Sequence, residues 1–129
     1  MADVRIDANG VPKAAVFEQT APAAHRASVT AVDSGDPASA SVGVASEGFR
    51  FVDFDVAVTL GGTDPLVEVA PLFLDATSGT WFLGDSSFFT SSGRYRVRVE
   101  ARGAVVFLQV VSLSGTSPTL SLSAWASRS

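Results

Sequence analysis

From Arg50 to Leu60 the chain alternates. Val52, Phe54, Val56, Val58 and Leu60 fall on one side of an extended backbone, and Asp53, Asp55 and Thr59 on the other. A period of two marks a strand with one buried face, because successive side chains of a strand point opposite ways. The rest of the second half repeats this in short runs. They are Leu66–Asp75, Trp81–Leu83, Phe88–Phe89, Arg94–Ala101, Ala104–Leu113 and Thr119–Ala126. Turn formers divide them: Gly61-Gly62, Thr77-Ser78-Gly79, Gly84-Asp85, Ser91-Ser92-Gly93, Arg102-Gly103 and Ser114–Pro118. No segment has a helical period. Short strands at this spacing predict an all-β fold, a two-sheet antiparallel sandwich of jelly-roll-like type.

The 129 residues predict one domain, long enough to bury a substantial core. Residues 1–38 read differently, with dense alanine and the turn or extended signals Asn9-Gly10-Val11-Pro12, Ala21-Pro22 and Gly35-Asp36-Pro37. Within them only Ala14–Gln19 and Ala27–Val32 read as short strands. They are expected to form an extended N-terminal arm or the first edge strands, with the sandwich over 39–129. Pro71 lacks a ladder donor, so its strand is expected at an edge, bulged or bent.

Arg102-Gly103 reads as a two-residue hairpin turn. If it is the whole loop, Val99 faces Val106, Val97 faces Leu108 and Tyr95 faces Val110, a consistent apolar face. On the opposite face Arg98 meets Phe107, Arg96 meets Gln109 and Arg94 meets Val111. Large apolar groups on an outer face need a cover: a second sheet, the arm or another subunit. Trp125 poses the same question, sharing a face with Thr119, Ser121 and Ser123. Arg94, Arg96, Arg98, Phe107, Val111 and Trp125 are therefore the candidate interface residues. Three like charges about 7 Å apart also need an offset. It comes from Glu100, from the Asp53/Asp55 face of a neighbouring strand, or from an acidic partner.

Little in the chain looks built for catalysis. It has no cysteine, which excludes disulfides, thiolate metal sites and a cysteine nucleophile. The single histidine, His25, lies in an Ala/Pro-rich stretch where a rigidly held base is not expected, and reads as a solvent-facing arm residue. Alone it cannot complete a zinc site. Asp53 and Asp55 have a spacing found in carboxylate pairs of glycosidases, but also on any acidic strand face. No catalytic residue, metal or cofactor is expected. Trp81 and Trp125 are candidates for a sugar-stacking platform, so a carbohydrate-binding module is the alternative reading.

Charge narrows the partners. Residues 1–93 carry four basic against twelve acidic groups, and residues 94–129 five basic against one acidic, net −8 and +4. The acidic part would repel nucleic acid, and pairing between the two parts, within or between copies, is expected instead. No apolar run approaches membrane-spanning length, and the opening residues do not read as a signal peptide.

The stretch LeuPheLeuAspAlaThrSerGlyThrTrpPheLeuGly, followed by SerGlyArgTyrArgValArgValGluAlaArgGlyAlaValValPheLeuGlnVal, resembles small β-sandwich structural proteins of tailed bacteriophages and related particles, of the head decoration and spike type. The resemblance covers about the last 50 residues and carries no binding residues across. It implies a virion protein made in the host cytoplasm, with capsid or other virion subunits as protein partners, and a homo-oligomer such as a trimer. A glycan is a further candidate ligand.

Overall fold

The computed structural model describes residues 19–128. Among them are eight strands and one short 3-10 turn at Ala40–Val42. The strands are β1 (Ala23–Val29), β2 (Phe51–Thr59), β3 (Leu66–Asp75), β4 (Thr80–Leu83), β5 (Ser87–Phe89), β6 (Gly93–Glu100), β7 (Val105–Ser114) and β8 (Thr119–Ser127). They form two antiparallel sheets. The first runs β1-β8-β2-β6. In the second, β3 pairs with β7 on one side and with β4 and β5, end to end, on the other. An isolated bridge from Val44 to Val106 extends the second sheet beyond β7. Consecutive strands thus cross repeatedly between sheets, in the interleaved order of a jelly roll.

The core lies between the sheets and follows the alternation in the sequence. Val52, Phe54, Val56 and Val58 of β2 and Leu120, Leu122 and Ala124 of β8 pack against Val67, Val69, Val106, Leu108 and Val110 of β3 and β7. Ala23–Val29 is an edge strand paired to β8, starting at Ala23 opposite Ala124. Asp33 and Val44, on either side of residue 38, both bond β7, so chain on both sides of that position packs on the sandwich. Residues 1–18, including most of the strand expected at Ala14–Gln19, lie outside the described residues.

Two local expectations change. Arg102 and Gly103 do turn the chain, with φ of 48° and 85° and a bond from the Ala104 N–H to the Ala101 carbonyl. But β6 and β7 do not pair. β6 joins β2 in the first sheet and β7 joins β3 in the second. Both strands present apolar groups to one core from opposite sheets, so the apolar matching that favoured the hairpin arises without any ladder between them.

Pro71 lies on a central strand rather than at an edge. Its carbonyl accepts the Gly84 N–H at 2.8 Å, so its donorless nitrogen also faces the β4/β5 side. There the neighbouring strand is interrupted: β5 pairs with Val67–Val69 and β4 with Leu72–Asp75. The missing donor falls in the gap. Gly84 fits against it closely, since a Cβ there would meet the Pro71 Cγ at 2.8 Å and the Phe73 ring at 2.7 Å.

Candidate functional site: the arginine face, the sealed edge and the open edge

On the outer face of the first sheet, register fixes the charges. β6 sets Arg98 opposite Asp53, Arg96 opposite Asp55 and Arg94 opposite Ala57. Arg98 bonds both Asp53 oxygens, at 2.7 and 3.2 Å, and Ser127 Oγ donates to the same carboxylate at 2.9 Å. Asp53 is only 1% exposed. Its bond raises the Arg98 pKa above the usual arginine value. Arg96 meets Asp55 at 3.3 Å and stacks on the Trp125 indole at 4.7 Å. Glu100 accepts from Arg50 at 2.8 and 3.0 Å and from Arg102 at 3.0 Å. The Arg50 bonds, then that from Arg102, hold its carboxyl below the usual glutamate range. Two of the three stripe arginines, Arg96 and Arg98, are thus offset by one of the sources foreseen, the Asp53/Asp55 face, whereas Glu100 serves Arg50 and Arg102 and Arg94 lies opposite Ala57.

The six predicted interface residues do not form one surface. Arg94, Arg96, Arg98 and Trp125 belong to the first sheet, while Phe107 and Val111 belong to β7 in the second. The separation follows from the unmade hairpin. Phe107 is covered by the chain itself, with the His25 ring at 5.2 Å and the Arg26 guanidinium at 4.9 Å. Val111 sits at the register shift between β3 and β7, half-buried. Trp81 is 9% and Trp125 7% exposed. Neither indole offers an open stacking face, so the expected sugar platform is not formed by these two residues.

His25 is not a solvent-facing arm residue. Its ring lies 5.2 Å from both Phe54 and Phe107, and its Nε2 accepts the Leu108 N–H at 3.2 Å. It is one of a row of groups that close the free edge of β7. Val44 exchanges both backbone bonds with Val106. Asp33 accepts the Val110 N–H at 2.7 Å through Oδ2 and donates its own N–H to the Val110 carbonyl. Arg26 holds Asp33 in a bidentate pair at 2.6 and 2.7 Å. An exposed β edge invites pairing by other chains. Here backbone groups of Asp33 and Val44 and the side chains of His25 and Asp33 supply what a further strand would have supplied.

The opposite side of the sandwich is open. Among the described residues no strand pairs with the outer edge of β6 or with the outer edges of β4 and β5. Between them lies a cleft of about 350 Å³ that includes Pro71, Phe73, Asp85, Val97 and Glu100. Beside it Phe82, Leu83 and Phe88 are 55%, 63% and 59% exposed. Sequence reading placed these three on strands but not in a site. Strands of four and three residues are too short to show which side is buried.

Among the described residues no group of three His, Cys, Asp or Glu side chains is placed to hold a metal. No protein-family model, curated protein or solved structure matches the chain.

Proposed function

We propose that the chain is a non-catalytic structural protein of a virion, a capsid decoration or spike component that docks on a neighbouring subunit through its open side. The observation that carries this reading is the exposure of Phe82, Leu83 and Phe88 beside the unpaired edges of β4, β5 and β6, whereas the β7 edge of the second sheet is sealed. Large apolar groups gathered on one side of a soluble sandwich mark an interaction surface. Together they offer roughly 300 Å² of apolar area, given about 150–250 Å² per aromatic side chain. A specific interface needs about 800 Å² per partner, so these residues supply an apolar centre and the polar groups around it the rim. Arginines along β6 guard that edge against indiscriminate strand pairing. The virion setting is supported by the resemblance of the 73–122 stretch, and a homo-oligomer fits the same exposed centre.

The test uses source particles that lack the chain. Wild-type protein is expected to co-sediment with them, and a Phe82→Ser/Leu83→Ser/Phe88→Ser variant of unchanged circular dichroism is expected to stay in solution. A wild-type chain that is monomeric at high concentration and has no affinity for the particles overturns the proposal.

A further inference from the structure

At one end of the first sheet, beyond the last β2–β6 pair, lies a shallow cavity of about 520 Å³ lined by Gly48, Phe49, Arg50, Arg102, Gly103 and Arg128. Three guanidinium groups meet there. Arg50 and Arg102 share one carboxylate, Glu100. Arg128 stacks over the Phe49 ring at 5.4 Å and has no carboxylate within ion-pair distance among the described residues. Among the described residues that line the cavity or bond its arginines, three positive charges face one negative, a balance of +2. Glu100 occupies only part of the donor set, since each guanidinium carries five N–H groups. The walls leave room for a ligand. Gly48 and Gly103 both have positive φ, 84° and 85°, and a Cβ at either would meet nothing within 4 Å.

We propose that Arg50, Arg102 and Arg128 form a binding site for a phosphate dianion, free or carried as a phosphomonoester. The charge of the ligand follows from the imbalance: a single carboxylate would neutralise half of it, and a dianion all of it. Its shape follows from the guanidinium fork, which matches the tetrahedral oxyanion in paired hydrogen bonds. The stacked Phe49 holds Arg128 over the cavity, and Glu100 holds the other two side chains toward it. The arginines remain solvated, so binding is weak and falls with salt. This inference does not rest on the docking reading, although Glu100 also borders the cleft on the β4/β5 side.

The full chain is titrated with inorganic phosphate at pH 7.5, observing arginine Nε–H resonances by NMR at fixed ionic strength. Acetate serves as the monovalent control and glycerol 3-phosphate as the phosphomonoester. Saturable shifts are expected at Arg50, Arg102 and Arg128, with phosphate bound at least tenfold more tightly than acetate. Competition by glycerol 3-phosphate supports a phosphomonoester ligand, and phosphate binding without it supports free phosphate. Arg102→Gln and Arg128→Gln each weaken binding about tenfold and leave the unfolding midpoint unchanged. Equal responses to acetate and phosphate, or shifts that persist in the double variant, overturn the proposal.

Discussion

The imidazole Nε2 of His25 accepts the backbone N–H of Leu108 at 3.2 Å, so the ring is held in a neutral form that leaves this nitrogen unprotonated. Burial between Phe54 and Phe107 is the main cause lowering its pKa to about 4; Arg26 lowers it further and Asp33 opposes. In the unfolded chain the group titrates near 6.5. Between these values the unfolded state binds more protons, so stability falls as pH drops from about 6.5 to about 4 and this contribution levels off below. The shift corresponds to a loss of roughly 2–3 kcal/mol across that window. Urea unfolding at pH 7 and pH 4.5 measures it. His25→Gln keeps an acceptor without the titration, and its stability is expected to change less over the same interval. Equal pH dependence in the two proteins would refute this account.

Asp53 and Arg98 differ sharply in burial, and the two truncations are expected to differ accordingly. Arg98→Ala strands a fully buried carboxylate with only the Ser127 hydroxyl as a remaining named partner. A clear loss of stability is expected, smaller than for a fully buried pair because Arg98 is itself half in solvent. Adding Asp53→Asn to Arg98→Ala removes the uncompensated charge and should recover part of the loss. Chemical denaturation of the two single variants and the double variant closes the cycle. No recovery in the double variant contradicts the role given to the buried charge.

Gly84→Ala is expected to destabilise the chain by about 1–3 kcal/mol, because the added methyl meets the Pro71 ring and Phe73 within 3 Å. Gly48→Ala adds its methyl to open space and stores only the cost of a left-handed backbone, about 1 kcal/mol. Thermal unfolding ranks the pair, and a larger loss at Gly48 would contradict the close packing described around Pro71.

Sheet layering was legible in the residues because alternation is a local property. Val52 to Val58 declare their buried face without reference to any partner. Pairing was not legible. Val97 and Val99 match Val106 and Leu108 equally well as neighbours in one sheet and as facing layers of two, and only the crossing between sheets decides. The arginine stripe was visible for the same local reason, and its Asp53/Asp55 partners were among the alternatives because they too alternate. Arg50, Arg102 and Arg128 were not grouped, since 26 or more positions separate each from the next and only the meeting of strand ends gathers them. His25 misled because an Ala/Pro-rich surrounding reads as solvated, whereas its burial comes from Phe54 and Phe107, far along the chain.

The interruption between β4 and β5 has a consequence for engineering. Residues Asp85 and Ser86 sit where Pro71 offers no N–H, and Ser86 reaches β3 through its hydroxyl on Glu68, so lengthening the chain between Asp85 and Ser86 adds residues without taking a backbone hydrogen bond from β3. A foreign peptide spliced in there would be displayed from the flank of the sandwich, with the fold beneath it intact.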